Sequence, residues 1–297
     1  LIIDPVVVAC SYSGTSVSSY NYASTYDSFG NIYNAAGADM GYPTTLGAFK
    51  QTSNKNGDCV ISAFNATGTT KLFATYLGGD STEYPIDINV SKNVISILGV
   101  TNSKNYPCSQ NAVDTILGGA SDLFVTKIDT TGSILFASTL MGGSLNESIF
   151  QFSSAGYASI NGEMVIDKNG NTYVISNTSS SNFPTTLSAI FNFKQGPTDA
   201  VVFKLDSSLS TLVWSTYLGG TNSEGGSIIR LDGTGGVYCS GTTNSTDFPT
   251  TPGVVRPVKT GPVGQSDQFV SHIGPTGNIL LTSTYVGSST DDVGYFM

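Results

Sequence analysis

Several residue types that build reaction centres are scarce in this chain. Histidine and tryptophan each occur once and cysteine four times in 297 residues. Cys10, Cys59, Cys108 and Cys239 show no C-x-x-C spacing and have no neighbouring histidine, which argues against a zinc or thiol-redox centre. Cys10 and Cys239 fall in the alternating stretches VVVACSY and GGVYCSG, where a small buried thiol belongs; a disulfide between any pair stays open. His272, in DQFVSHIG, has no acid or nucleophile at a recognisable spacing and reads as a strand residue rather than a catalytic base. Charge is sparse as well. Only 12 Lys+Arg and 21 Asp+Glu give 11% charged residues and a net charge of -9, against roughly 25% charged in soluble domains. Twelve scattered cations cannot assemble a phosphate-binding patch, so nucleic acid is set aside as a partner. No run of 18 apolar residues exists, which excludes a helical membrane span, and the opening LIIDPVVVAC, with Asp4 and Pro5, is unlike a signal peptide.

What the chain does have is repetition. An aromatic-Pro motif recurs as YPTTLGAF (42–49), YPCSQNAV (106–113), FPTTLSAI (183–190) and FPTTPGVV (248–255), its prolines Pro43, Pro107, Pro184 and Pro249 spaced by 64, 77 and 65 residues. A second motif sets Asp58, Asp122, Asp199 or Asp267 before a short alternating strand, and a third ends in Gly-Gly or a relative: LFATYLGG (72–79), LFASTLMGG (135–143), VWSTYLGG (213–220) and LTSTYVGS (281–288). The fourth is strand, tight turn, strand, clearest in MVIDKNGNTYVIS (164–176) and IIRLDGTGGVYCSG. Its Asp, Asn and Gly residues supply the positive φ and the local hydrogen bonds of a hairpin.

Each unit therefore predicts four strands, and stacked four-stranded antiparallel sheets bury both faces in a β-propeller. The fold class expected is all-β, a propeller built from four-stranded antiparallel blades. One repeat segment spans 1–297, with units 15–79, 80–143, 144–220 and 221–288 and partial units 1–14 and 289–297, as in a segment of a larger ring. A helical turn is expected after each proline. Tyr42, Tyr106, Phe183 and Phe248 are expected to pack the gap between that excursion and its blade, and the repeated aspartates to bond donors of the adjacent loop.

WSTYLGG, followed by LDGTGGVYCSGTTNSTDFPTTPGVV and SDQF, resembles the SBBP family of bacterial β-propeller repeats over nearly the whole chain. The resemblance implies a large secreted or cell-surface protein of Bacteroidetes, with adhesion and gliding-motility-associated modules elsewhere in the polypeptide. It carries no catalytic residues to transfer. Lys92-Asn93 in place of a glycine turn, YPCSQ in place of F-P-T-T, and the insertion at 153–162 depart from the pattern.

The function expected on this reading is a non-catalytic structural or binding module, extracellular and surface-associated. Its partners would be cell-surface polysaccharide or protein and other modules of the same polypeptide, without direct membrane insertion. No catalytic, cofactor or metal residue and no cofactor is assigned. The alternative is a propeller-scaffold carbohydrate-active enzyme, hydrolase or lyase, which needs two converging carboxylates. Glu147, Glu163, Glu224 and Asp247, read as occurring once, are its candidates. A Ca²⁺-stabilised carbohydrate-binding propeller is the third reading, with Asp167 to Asn171 as the acidic turn, although that turn lacks the six to eight oxygen ligands of a dedicated loop.

Overall fold

A computed structural model describes residues 15–53, 57–148, 151–152, 158–159, 162–260, 265–288, 290 and 292. Cys10, the partial units at 1–14 and most of 289–297, and most of the insertion at 153–162 lie outside the described residues. The first sheet contains β1 (Ser19–Tyr26), β2 (Ile32–Ala38), β3 (Asp58–Phe64) and β4 (Lys71–Leu77); the second β5 (Glu83–Ser91), β6 (Val94–Thr101), β7 (Asp122–Asp129) and β8 (Leu135–Met141). A two-stranded ribbon, β9 (Gln151–Phe152) with β10 (Ala158–Ser159), precedes the third sheet of β11 (Glu163–Ile166), β12 (Thr172–Thr178), β13 (Asp199–Leu205) and β14 (Leu212–Leu218). The fourth holds β15 (Glu224–Leu231), β16 (Val237–Thr243), β17 (Asp267–Ile273) and β18 (Leu280–Val286). In each four-stranded sheet the spatial order is the chain order, the antiparallel meander of a propeller blade. The fold class is all-β, of the propeller type.

Chain contacts define two compact units, residues 1–107 with 126–138 and residues 108–125 with 139–297. In the first, β3 is buried along its whole length, and Ala38, Tyr42, Val60, Ala74 and Tyr76 form one apolar cluster. In the second, the third and fourth sheets share a core that runs from Tyr173, Ile175, Val202 and Trp214 to Ile229, Cys239, Phe248, Phe269 and Tyr285.

The aromatic-Pro excursion seals the outer strand, whose free edge would otherwise expose unpaired backbone groups. Thr45, Thr186 and Thr251 accept through Oγ1 the backbone N–H of Ala74, Ser215 and Ser283 and return their own N–H to Ala74, Ser215 and Ser283 carbonyls. The outer-strand tyrosines Tyr76, Tyr217 and Tyr285 take the N–H of Tyr42, Phe183 and Phe248 at 2.8–2.9 Å and donate to the carbonyls of Asp39, Ser180 and Ser245. The second sheet has Leu140 at that tyrosine's place, and there Tyr106 itself carries the hydroxyl, 2.8 Å from Thr126 Oγ1. All four aromatics are buried, at 2–5% exposure, and pack as expected.

The expected helical turn is absent from the described residues. A reverse turn stands there instead, closed by Ala48 N–H on Thr45 O, Ala112 on Ser109 and Ala189 on Thr186; in the first and fourth sheets Gly47 and Gly253, both at φ +82°, give its third position the positive φ of type II. The edge bonds to the outer strand leave no residues free to continue a helix. Ser109 fills the place of Thr45, so YPCSQ keeps the register. Lys92 and Asn93 both adopt positive φ, 50° and 64°, and close a two-residue hairpin between Ser91 and Val94 without glycine.

Candidate functional site

Acidic side chains gather at the two ends of the strands. At one end the outer strand turns through Gly-Gly into the first strand of the next sheet, and every such corner holds two carboxyl groups. One is the repeated aspartate that opens the third strand. The other stands five residues after the first corner glycine, as Glu83, Glu147, Glu224 or Asp292; Glu83 and Glu224 open β5 and β15, and Glu147 bridges to Thr178 of β12. Asp58, Asp122, Asp199, Asp267, Glu83 and Glu147 are fully buried and Glu224 nearly so.

The glutamates are held alike. Thr101, Thr178 and Thr243 donate their hydroxyls to Oε1 of Glu83, Glu147 and Glu224 at 2.6–2.7 Å, and Gly79 and Gly220 N–H groups reach Oε2 of Glu83 and Glu224. Burial outweighs these bonds and pushes Glu83 and Glu224 up to about 7. The aspartates find different donors. Asp199 accepts Gln195 and Gly196 N–H at 2.9 Å, and Asp122 accepts Gly118 N–H at 2.9 Å. Asp58 is 3.2 Å from Lys50 Nζ, and Asp267 is 3.6 Å from Lys259 Nζ. The corner glycines are tight against these acids. A Cβ on Gly78, Gly142 or Gly219 would strike the carboxyl groups.

Two of the four enzyme candidates, Glu147 and Glu224, are thus members of a repeated set. Asp247 belongs to another: it accepts Thr221 N–H at 3.0 Å, as Asn105 accepts Asp80 and Asn182 accepts Ser144, all three standing just before the aromatic-Pro pair. Glu163 alone is single, bonded to Ile229 N–H at 2.8 Å and paired with Arg230. The four do not form one constellation.

The other end of the strands carries the hairpins and an open cleft of about 470 Å³, within the usual range of small-ligand pockets. Asp167, Asn169 and Asn171 line one side, Gly233 to Gly235 and Pro275 the other, and Tyr173 and Lys204 the floor between. The lysine Nζ lies 4.6 Å from the tyrosine ring centre. Asp167 Oδ1 takes the N–H of Asn169 and Asn171 at 2.8–2.9 Å, and its Oδ2 takes Asn171 Nδ2. Burial raises its pKa; these bonds and the Lys204 charge outweigh that and hold the carboxylate below its ordinary range. Asp232, in the facing hairpin, lies at about 2: slight burial raises it, and bonds from His272 and the Thr234 and Gly236 N–H groups overcome that. His272 Nε2 is 2.8 Å from Asp232 Oδ2, and its ring stacks on Tyr238 at 4.1 Å between centroids. Asp167 is occupied by its own turn, and no group of three or more metal-ligating side chains is found among the described residues.

No family model and no curated protein sequence matches the chain. Among solved structures it is similar to a GH43 β-xylosidase/α-arabinofuranosidase, CoXyl43, from a compost microbial metagenome, at 11% identity and a TM-score of 0.40, over 92% of this chain and 78% of that one. It is similar as well to the GH43 protein BlXynB of Bacillus licheniformis (10%, TM-score 0.36, 93% and 43%) and to a quinohemoprotein alcohol dehydrogenase of Pseudomonas putida HK5 (8%, TM-score 0.36, 90% and 44%). The chain spans less than half of the latter two. At these values no residue role passes from them to this chain.

The expected SBBP assignment is corrected, and with it the non-catalytic adhesion module, the Bacteroidetes source and the gliding-motility context that rested on it: no family model matches the chain. The physical reason lies in the motifs. Y-L-G-G, F-P-T-T and the strand-opening Asp are what a sealed four-stranded blade requires, through the tyrosine bond, the edge threonine and the corner glycine. Residues that every such blade needs do not distinguish one blade family from another.

Proposed function

We propose that this chain is a carbohydrate-active propeller that engages polysaccharide at the hairpin-end cleft. The observation that carries the reading is the cleft's mixture of groups. An ionised carboxylate (Asp167), two amides (Asn169, Asn171), an ammonium (Lys204) and a hydroxyl (Thr234) stand beside Pro275 and Leu231. Sugars present hydroxyls that both donate and accept, with C–H faces that lie on apolar surface, and this lining answers each. Asp167, held ionised, accepts sugar hydroxyls and stabilises positive charge on a reacting sugar ring; in the resting state it has no proton to give a leaving group. The buried corner acids take no part. They are buried, the glutamates bonded to threonine hydroxyls and the aspartates to backbone N–H groups or lysine, and glycine backbone closes them in.

The test is native gel electrophoresis through a panel of polysaccharides that includes xylan and arabinan, run beside an assay for newly released reducing ends. Retardation by one or more of them, weakened at least tenfold by Asp167→Ala or Lys204→Ala in a protein of unchanged circular dichroism, is the expected result. Neither retardation nor new reducing ends across the panel sinks the reading.

A further inference from the structure

The corners differ in one respect. In the first sheet Lys50 Nζ bonds Asp58 and the Gly78 carbonyl, and in the fourth Lys259 faces Asp267 while Arg256 donates to the Gly287 carbonyl. In the third, Lys194 reaches the carbonyls of Gly196 and Pro197 and its charge favours ionised Asp199. Among the described residues the corner of the second sheet has no such cation. The residue that matches Lys50 and Arg256, each giving its N–H to an outer-strand threonine hydroxyl, is Asp114, and residues 114–121 contain no lysine or arginine.

Glu147 N–H donates to the Ser121 carbonyl at 3.2 Å, so Asp122 and Glu147 leave neighbouring points of paired backbone and their carboxyl groups interact directly. Asp122 Oδ1 and Glu147 Oε2 are both buried, and neither has a donor among the described residues. Two carboxylates that interact directly in a buried site cannot both stay ionised, and a single proton satisfies both oxygens at once. The remaining lone pairs are already placed: Asp122 faces Gly118 and Gly119 N–H groups and the like charge of Asp114, and Glu147 faces the Thr178 and Ser180 hydroxyls and Gly143 N–H.

We propose that Asp122 and Glu147 share one proton, forming an O–H···O clasp between the start of β7 and the segment that bridges to Thr178 at the end of β12, and that the clasp is lost when the proton leaves. Burial raises both groups, as such a clasp requires. The corner is then a pH-sensitive joint in which two acids share one titrating proton, whereas in the first and fourth corners a lysine ammonium stands beside the aspartate instead.

Melting temperature measured from pH 5 to pH 9 tests this. Glu147→Gln replaces the shared proton with an amide N–H that does not titrate. Relative to this variant, the wild-type protein is expected to lose about 2–4 °C between pH 5 and pH 9. The infrared difference spectrum, wild type minus variant at pH 6, is expected to show the C=O stretch of a protonated carboxyl. Should Glu147→Gln fail to fold, Asp122→Asn offers the same amide from the other side and carries the same expectation. Parallel profiles for wild type and variant, or no carboxyl band, overturn the clasp. So does a rise in wild-type melting temperature with Ca²⁺ at pH 8 that the variant lacks, which would make the site a cation site.

Discussion

The two ends of the strands use the same residue types to opposite effect. At the corners, carboxyl groups are buried, bonded to hydroxyls and pushed upward in pKa by desolvation, as at Glu83 and Glu224. At the hairpins, burial raises Asp27, Asp129, Asp167, Asp206 and Asp232, but hydrogen bonds, first from a neighbouring side chain and then from turn N–H groups, hold them below their ordinary range. An acid in a corner costs desolvation and repays it in specificity of the joint; an acid in a hairpin satisfies backbone donors that the turn leaves over. The comparison shows why a repeated acid is no sign of a reaction site until its surroundings are known.

Glycine substitutions give the largest contrast between the ends. A Cβ on Gly196 would run into the backbone carbonyl of Asn222, which has no side-chain freedom with which to move away. Gly196→Ala is expected to cost about 3 kcal/mol or more. Gly233, in a hairpin, meets nothing within 4 Å and pays only for its φ of +82°, so Gly233→Ala is expected to cost about 1 kcal/mol. Urea unfolding of the two variants measures both, and equal losses would erase the distinction.

Next in size is the pH dependence. Burial lifts Glu83 and Glu224 to about 7 in the folded protein, against 4.5 for a free glutamate side chain. The folded protein therefore binds protons more tightly, and this contribution is complete below about 4.5 and is lost as pH rises through about 7. While it titrates, each group can change stability by at most about 1.4 kcal/mol per pH unit. The hairpin aspartates act in the reverse sense: their contribution is present above 3.8 and is lost as pH falls through their lowered values, to about 2 for Asp232. A stability maximum near pH 4 is expected from urea midpoints measured between pH 2 and pH 9. A flat profile from pH 5 to pH 8 would show that the corner acids are wetter than their packing implies.

The legibility of the sequence follows the same division. Strand number, sheet order, the buried aromatics and the bonded aspartates could all be read from it, because each depends on local pattern: alternation, a turn residue, a proline. The corner pairs were missed although their signal is there. Glu147 and Glu224 look single by residue type within each motif, and only their distance from Gly-Gly, at which Glu83, Glu147, Glu224 and Asp292 all stand five residues on, shows the repeat. The cleft was beyond reach for another reason. It joins residues 167–173 and 204 to residues 231–235 and 275, and no periodicity states which turns of two sheets face one another.

A smaller contrast lies within the hairpin end itself, between what an acid does as an acceptor and what it does as a charge. Asp206 Oδ1 takes the N–H groups of Ser210 and Thr211 at 2.8 Å, and Oδ2 takes the Ser208 hydroxyl. Asn65 stands at the same place in the first sheet and takes Thr69 and Thr70 N–H groups at 2.9 and 3.1 Å with no charge at all. Asp206→Ala strands those donors at a partly solvated turn and is expected to cost about 1 kcal/mol. Asp206→Asn keeps the acceptor, as Asn65 does, and is expected to lose less than about 0.5 kcal/mol. The variant's stability should also be less sensitive to acid below pH 3.8, since the group that had to be protonated is gone. If the asparagine costs as much as the alanine, charge rather than geometry holds the turn, and Asn65 needs a different explanation.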